Sequence, residues 1–434
     1  MAATSVVSRE NIETWSADSP KLLLFRKAVE AMQAVSDEAL MDERGYQWVA
    51  AVHGGFGGMP YCHHGDYHFL TWHRPYVLDM ELKLRAQIAE LADRNTADEW
   101  RLPYWDWAAP DTRGIPDAFA AETYDDDGTT KPNPLLSAPY QLPMPPGIEP
   151  ADRTWRDPKS LDELVELRAK VEAALELSDF EEFSTAIEEP HNRLHGWVGG
   201  FMSTYRSAFD PIFWSHHANI DRQFWLWQRG DGHMASIPSF VREYPCQPFR
   251  FKHIRAEAFF NTRELGYTYS EARRLVLRSQ ARSLAGPAAA NEPLALDFGA
   301  VPSGFSRARV NVHNVRHPEP TCELVLFANR TTPADASTPR TGAEGFLGAY
   351  MLLGHGPCPG APGHCDPDQP IMSRLRPPHH LAPFDIFIDV TARLRAALGA
   401  AGGDVTAQLI VVDNSGAQLP TSTVVFDNAS LTFR

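Results

Sequence analysis

The chain divides into two stretches that differ in the spacing of their hydrophobic residues. Up to about residue 285, apolar residues recur at intervals of three and four, as in KLLLFRKAVEAMQAV and YVLDMELKLRAQIAELADR, which predicts amphipathic helices. After a segment rich in Ala, Gly and Pro the spacing changes towards two, as in CELVLFAN and AQLIVVD, which predicts short strands. We therefore predict a mainly α-helical domain over 1–285, a linker over 286–306 and an antiparallel β-sandwich over 307–434.

Three of the predicted helices carry a histidine on their apolar face. These are His53, His73 and His217, and the last of them lies in a helix with a strong start signal, Asp210 followed by Pro211. A charged imidazole is costly inside a core, so these rings are expected to be neutral. One such histidine is more often an ordinary core residue than a ligand, but its recurrence on three helices indicates a metal site.

The sequence HNRLH supplies a pair of histidines on one helix face. His191 and His195 are four residues apart, and Pro190 is expected at the start of their helix. Zinc proteases share this spacing but carry Glu directly after the first histidine, where this chain has Asn192. The pair therefore indicates a metal site but argues against a zinc hydrolase.

Two further histidines are placed by their neighbours. His64 is nine residues before His73, so both can reach one ion only if His64 lies on the loop-like segment CHHGDY. His216 is rotated by about 100° from His217 on the helix, so we expect it to support the site rather than to point at the same ion. The candidate ligands then form two sets of three: His53, His64 and His73, and His191, His195 and His217.

Six imidazoles without a carboxylate or thiolate favour copper over a di-iron carboxylate site. Three nitrogen ligands per ion leave an open position on each, as a reactive site requires. Acidic residues are expected to fix the orientation of the rings, and Glu81, Asp106 and Asp221 are the candidates. Each could equally be an ordinary cap or surface acid.

Charge and composition exclude several classes of protein. The formal net charge of −15 argues against nucleic acid or an anionic membrane as a partner. The polar N-terminus lacks the apolar stretch of a secretion signal, so we expect a cytoplasmic protein, with export alongside a partner left open. No stretch is long and apolar enough to span a bilayer.

The chain has five cysteines, and an odd number cannot all pair. Cys358 and Cys365 lie in a loop rich in Pro and Gly and are expected to form a disulfide or to remain two thiols. A metal-loading site that includes His355 and His364 is the alternative. The states of Cys246 and Cys322 are left open.

Four segments resemble the signature sequences of the type-3 copper family, which comprises tyrosinases, catechol oxidases and molluscan haemocyanins. They are HGDYHFLTWHRPYVLDME, LPYWDW, HNRLHGWVGG and DPIFWSHHANIDRQFWLW. The resemblance implies that two copper ions are held by the two sets of three histidines and bind O2 between them. It also implies a thioether between Cys62 and His64, and a C-terminal sandwich that lies over the copper entrance.

The resemblance implies either a phenol oxidase, which converts phenols or catechols to ortho-quinones with O2, or a reversible oxygen-binding protein of the haemocyanin type. We expect the enzyme, because one unit gains little from the cooperativity on which large multi-unit carriers depend. The sandwich is expected to make the enzyme latent, with a Leu or Phe within Leu324–Phe327 as the plug. A copper donor protein is left open as a further partner.

Several residues near the second set of histidines have expected roles. Asn192 and Glu188 resemble the Asn–Glu pair that orients a water as a base in tyrosinases, although the acid could equally serve only the helix N-terminus. Glu189 and Glu182 are rival candidates for that acid. Phe213 lies one helical turn before His217 and is expected to roof the second copper. Gly196 is expected to leave room for larger substrates.

Overall fold

The computed structural model describes residues 6–54, 61–142, 152–246, 254–269, 293–301, 304–356, 383–398 and 402–433. It consists of a helical part followed by sheets, which confirms the predicted fold class. The helices are α1 (Pro20–Glu38), α2 (Tyr46–Gly54), α3 (Phe69–Leu91), α4 (Arg94–Glu99), α5 (Asp117–Ala120), α6 (Asp162–Leu175), α7 (Phe180–Val198), α8 (Ile212–Trp227), α9 (Ser239–Arg242) and α10 (Thr391–Leu398).

The strands fall into two small sheets and two larger ones. They are β1 (Val7–Arg9), β2 (Thr123–Asp126), β3 (Thr129–Pro132), β4 (Tyr267–Tyr269), β5 (Leu294–Val301), β6 (Ala308–Val315), β7 (Cys322–Ala328), β8 (Phe346–Leu352), β9 (Phe384–Asp389), β10 (Gly403–Asp413), β11 (Gln418–Leu419) and β12 (Asn428–Phe433). One antiparallel sheet has the order β11-β10-β7-β8 with β5 also on β10, and the other has the order β12-β6-β9. Side chains from both sheets share one apolar core, as in a sandwich.

Strand β5 corrects the predicted linker. It lies inside 286–306, and its residues Leu294, Leu296 and Phe298 are buried in the sandwich core while Ala295 and Asp297 between them are exposed. The composition rich in Ala and Gly concealed this period-two pattern, so the sheet begins earlier than predicted. The predicted domain boundary at residue 285 lies outside the described residues.

Strands β7 and β8 of the five-stranded sheet are buried on both of their faces. Leu324 and Leu326 of β7 belong to the sandwich core, whereas Val325 and Phe327 belong to a second apolar cluster with residues of β8 and β10. Glu323 lies on the second face, where it pairs with Arg193 of helix α7. Burial on both faces explains why β7 and β8 are apolar along most of their length.

Helix α7 begins earlier than predicted. Its cap is Asp179, whose carboxylate accepts the backbone N–H of Glu182, and Pro190 lies inside the helix. Proline is tolerated there at the cost of one backbone hydrogen bond. The two histidines of HNRLH therefore lie in the C-terminal half of a long helix, within the buried core.

A buried ionic network joins the helices that carry the histidines. The Arg9 guanidinium donates to Glu81 of α3 at 2.8 Å and to Asp221 of α8 at 3.0 Å. Arg74 of α3 pairs with the other oxygen of Asp221. Because removing one partner of such a pair leaves a buried charge, the network fixes α3 and α8 relative to each other.

Cys62, Cys246 and Cys322 are buried thiols without a disulfide partner in the described part of the chain. The predicted disulfide would join Cys358 and Cys365, and the alternative metal-loading site would include His364. All three residues lie outside the described residues. None of the helices in the described ranges is both long enough and apolar enough for a membrane span.

Candidate metal centre

The first histidine cluster forms where two helices and a loop meet. His53 lies in the last turn of α2, His73 lies in the second turn of α3, and His64 lies on the loop before α3, as the spacing predicts. Their possible ligand atoms, together with the sulfur of Cys62, all lie within 4.8 Å of one another. The ring centroids of His64 lie 5.3 Å from those of His53 and 5.2 Å from those of His73.

The second cluster lies between helices α7 and α8. The Nε2 atom of His191 lies 3.1 Å from Nε2 of His195 and 3.2 Å from Nε2 of His217. His216 belongs to the same group of atoms within 4.8 Å, with its ring stacked on His191 at 5.0 Å. The expectation that His216 points away is therefore wrong, because a ring that starts about 100° around the helix still reaches the cluster.

The two clusters adjoin each other. The rings of His73 and His217 stack with their centroids 4.5 Å apart, and those of His64 and His191 lie 5.4 Å apart. The side chains of both clusters are thus arranged around one interior space. Two ions held in these clusters would be neighbours, as a binuclear site requires.

Carbonyl oxygens fix the orientation of the rings. Nδ1 of His53 donates to the carbonyl of Tyr205 at 2.8 Å, and Nδ1 of His73 donates to that of Phe69 at 2.7 Å. Nδ1 of His195 likewise donates to a backbone carbonyl, that of Met202, at 2.6 Å. A carbonyl can only accept, so in these rings Nδ1 carries the proton and Nε2 keeps a free electron pair for a metal.

The chemistry of the donors fits copper. Burial lowers the pKa of His53 to about 4 and that of His195 to about 3, and it lowers the pKa values of the other rings in both clusters well below the ordinary value. The rings are therefore neutral, which is the form that binds a metal. Nε2 of His53 and both nitrogens of His216 are buried without a hydrogen-bond partner among the described residues. Buried, neutral and unpaired imidazoles of this kind suit copper.

The acids expected to orient the rings have other partners. Glu81 and Asp221 pair with Arg9, and Asp106 pairs with Arg222 at 2.9 Å. The prediction failed because main-chain carbonyls supply the acceptors, and a sequence gives little sign of them. Among these carbonyls, that of Phe69 could have been predicted, because Phe69 lies four residues before His73 and its carbonyl faces the same side of the helix.

Cys62 lies against the ring of His64. Its sulfur is 3.0 Å from Nδ1 and 3.9 Å from Nε2 of that ring, and 3.7 Å from Nε2 of His73. Burial raises the pKa of the Cys62 thiol well above the usual range, so it is protonated. Sulfur and imidazole are in contact, as a thioether between them requires.

Phe213 and Gly196 border the histidines in different ways. The ring of Phe213 lies 4.0 Å from that of His217 and 4.9 Å from that of His53, so it touches both clusters. A Cβ atom on Gly196 would lie 2.8 Å from Oδ1 of Asn414 and 3.4 Å from the methyl group of Met351. The space beside Gly196 is thus filled by the sandwich in this structure, so room for a larger substrate there remains a prediction for a form in which the sandwich is displaced.

Glu188 and Asn192 are both buried, and each has a hydrogen-bond partner of its own. The Glu188 carboxyl accepts the backbone N–H of Gly65 at 2.6 Å, next to His64. Asn192 accepts from Nδ1 of His191 at 2.8 Å and donates its amide N–H to the carbonyl of Met351 at 2.9 Å. Among the residues that the structure describes, Glu188 and Asn192 share no hydrogen bond. The rival acids, Glu182 and Glu189, form ion pairs with Arg309 and with Lys170 and Arg193.

The sandwich covers the histidines through residues other than the predicted plug. Residues 324–327 lie in the two apolar clusters of the sandwich. Described side chains that approach the centre include Phe384, whose ring is within 2.5 Å of the position a Cβ on Gly65 would take, and Met351 beside Gly196. Gly65 has a φ of +66°. Its conformation and this close approach both require glycine.

Comparison with known proteins identifies the central part of the chain. Residues 43–230 match the family model described as the common central domain of tyrosinase. The hemocyanin beta-C chain unit G of Helix pomatia is 32% identical over 254 residues, which cover 52% of this chain and 58% of that protein. A tyrosinase of Podospora anserina is 27% identical over 340 residues, covering 56% and 58%. The chain thus spans less than two thirds of these relatives.

Solved structures show the same fold over nearly the whole chain. A functional unit of octopus hemocyanin has a TM-score of 0.62 at 19% identity, covering 98% of this chain and 99% of that one. An apo-protyrosinase of Aspergillus oryzae has a TM-score of 0.63 at 17% identity, covering 100% and 93%. The fold and the paired histidine clusters define a binuclear copper protein with a helical core beneath a sandwich. Residues 43–230 thus carry the tyrosinase central domain, and the chain is similar to both tyrosinases and hemocyanins, which are type-3 copper proteins.

Proposed function

We propose that this protein oxidises phenols or catechols to ortho-quinones with O2 and that its C-terminal sandwich keeps it latent. The observation that carries the proposal is the convergence of two buried clusters of neutral histidines on one interior space. The proposed ligands are the predicted set, His53, His64 and His73 for the first ion and His191, His195 and His217 for the second. The copper pair would supply the redox chemistry with O2.

The polar contacts between the sandwich and helix α7 favour an oxidase over an oxygen carrier. Described contacts between the sandwich and helix α7 include the ion pairs Glu323–Arg193 and Arg309–Glu182 and the hydrogen bond from Asn192 to Met351. Interfaces between domains that move apart are richer in polar contacts than permanent ones. A cover held in this way can open to admit a phenol.

The residues around the histidines are suited to bind and deprotonate a phenol. The ring of Phe213 offers an aromatic surface beside His217. Burial raises the pKa of the Glu188 carboxyl well above its usual range, so in the covered state it is protonated. When the sandwich is displaced and water enters, Glu188 ionises and takes the phenolic proton, with Asn192 ordering the water between them.

Replacement of Glu188 by Gln tests this role. The amide oxygen can still accept the Gly65 N–H, but it cannot take a proton. We expect copper content to stay unchanged and phenol oxidation, measured as quinone formation, to fall about a hundredfold. Glu189→Gln, at a neighbouring acid that pairs with Lys170 and Arg193, is the matched control. Equal rates of quinone formation in wild type and Glu188→Gln would mean that Glu188 serves only to hold the backbone of Gly65 in place.

We propose a thioether between Cys62 and His64 on the basis of their contact. A C–S bond forms while the thiol and a ring carbon each lose a hydrogen atom, and O2 takes up the two electrons and two protons. Copper-loaded, air-exposed protein is then expected to be lighter than its sequence mass by two hydrogens, and Cys62→Ser is the control. An intact mass that equals the sequence mass would rule the bond out.

A reversible oxygen carrier is the second candidate, because haemocyanin relatives match the chain as well as tyrosinases do. The experiment that separates the two is oxygenation of copper-loaded protein, followed by addition of a monophenol and then a catechol. Quinone formation with loss of the oxygenated absorption band is expected. A stable, reversible band with no quinone, also after the sandwich is displaced, would establish the carrier instead.

A further inference from the structure

Helix α7 presents different faces to the histidine clusters and to the sandwich. His191, His195 and Glu188 face the interior space or the His64 loop. Other residues of the helix meet the sandwich: Thr185, whose carbonyl accepts from Tyr350 at 3.3 Å, and Arg193, which pairs with Glu323. One rigid helix therefore lies in contact with both parts of the protein.

The side chain of Asn192 forms described hydrogen bonds both to a histidine of the second cluster and to the sandwich. The Met351 carbonyl can only accept, so the group that faces it is the Asn192 amide N–H. This fixes the amide so that its oxygen faces Nδ1 of His191, which must then carry the proton. With the proton on Nδ1, the Nε2 atom of His191 keeps the electron pair that faces His195 and His217.

An adjacent ion pair, Arg193–Glu323, reinforces the hydrogen bond between Asn192 and Met351. Met351 of β8 and Glu323 of β7 are cross-strand partners in the sheet, and they meet the consecutive residues Asn192 and Arg193. All of these side chains are buried or nearly so. The strand pair is thus held against the helix next to the residue that orients a histidine.

We propose that Asn192 is a positioning residue that couples docking of the sandwich to copper binding in the second cluster. When the sandwich docks, the Met351 carbonyl sets the Asn192 amide and so favours the metal-binding tautomer of His191. When the sandwich leaves, the amide is free to rotate and the tautomer is no longer fixed. Linkage makes the coupling reciprocal, so copper in the second cluster must also favour docking.

Hydrogen–deuterium exchange on the full-length protein tests the coupling without any measurement of oxidation. In wild type, copper loading is expected to slow exchange of the backbone amides of strand β8 (Phe346–Leu352) by roughly tenfold, within the usual range of coupling between sites. In Asn192→Asp the carboxylate can still accept from His191 but cannot donate to Met351. The ratio of exchange rates between apo and loaded protein is expected to fall close to one.

Tyr350→Phe is the matched control. It removes a different hydrogen bond between the same strand and the same helix, the one to the Thr185 carbonyl, and touches no partner of a histidine. Exchange should quicken in both its apo and loaded forms, while the ratio between them stays as in wild type. A wild-type ratio in Asn192→Asp, or loss of the ratio in Tyr350→Phe, would overturn the proposal.

A second measurement covers the case in which Asn192→Asp does not fold. Glu323→Ala weakens docking beside the contact and leaves Asn192 and every histidine partner in place. By reciprocity, the equilibrium affinity for the second Cu(I), measured by chelator competition, is expected to fall about tenfold. An unchanged affinity with a detached sandwich would contradict the coupling. Because both measurements use copper alone, they hold whether the protein proves to be an oxidase or a carrier.

Discussion

Replacing His217 with alanine is expected to leave a protein that binds one copper ion and produces no measurable quinone. The Nε2 atom of His217 lies 3.2 Å and 3.4 Å from those of His191 and His195, so its loss removes one of three converging donors. The remaining pair holds copper weakly, and one ion cannot do the work of a binuclear centre. Copper content by metal analysis and the absence of the oxygenated absorption band are the measurements.

His216→Ala is the control for this experiment, because it tests whether His216 or the adjacent His217 binds the second copper ion. Both rings lie in the second cluster, and the ring of His216 is 4.8 Å from that of His195. The described contacts place the nitrogens of His191 and His195 against Nε2 of His217, so we expect His216→Ala to keep both ions and most of the activity. If His216→Ala instead loses the second copper while His217→Ala retains it, the assignment of the ligand is reversed.

The helical pattern was sufficient to place five of the six predicted histidines, and His64 was placed by the loop-like sequence around it. Apolar stripes placed His53, His73 and His217 on the inner faces of their helices, and a spacing of four paired His191 with His195. These are local properties, because the direction of a side chain follows from its position on a helix. The same reasoning failed for His216, since it gives the direction in which a ring starts and not how far the ring reaches.

Contacts between parts that are distant in the sequence could not be predicted. Tyr205 orients His53 from a position 152 residues away, and it does so through a main-chain carbonyl that any residue could supply. The residues of helix α7 that meet the sandwich are polar, and in a sequence they resemble an ordinary solvent-exposed face. The plug was placed in β7 for a similar reason, because a strand buried on both faces has the same apolar pattern whichever face covers the site.

Replacing Glu323 with alanine is expected to raise the rate of catechol oxidation, because it weakens docking of the sandwich on helix α7. The Glu323 side chain is 4% exposed, and its carboxylate pairs with Arg193 of the helical part and with Arg340 at 2.7 Å. Burial by itself raises the pKa of Glu323, but the two arginines bring it below its ordinary value, so the group is ionised. Removal of one partner from a buried ion pair costs about 3–5 kcal/mol, and we expect the lower end of this range because Arg193 keeps its pair with Glu189.

The part of this free energy that is lost from docking of the sandwich raises the population of the form in which the sandwich is displaced. A loss of about 3 kcal/mol shifts that equilibrium by more than a hundredfold, so we expect catechol oxidation at saturating copper to rise by about two orders of magnitude. Glu344→Ala is the control, because its pair with Arg330 lies within the sandwich and its side chain is 41% exposed. A surface pair of that kind contributes at most about 1 kcal/mol, and its loss leaves docking unaffected.

The result distinguishes three cases because exposure of β8 is measured on the same samples by hydrogen exchange. Faster exchange together with faster oxidation establishes that the sandwich limits the entry of the phenol. Faster exchange with oxygen binding but no quinone means that the centre itself cannot oxidise phenols, and the carrier follows. Unchanged exchange would mean that the Glu323 pair does not hold the sandwich and that other contacts, such as those of Asn192, Tyr350 and Arg309 with α7, are sufficient to hold it.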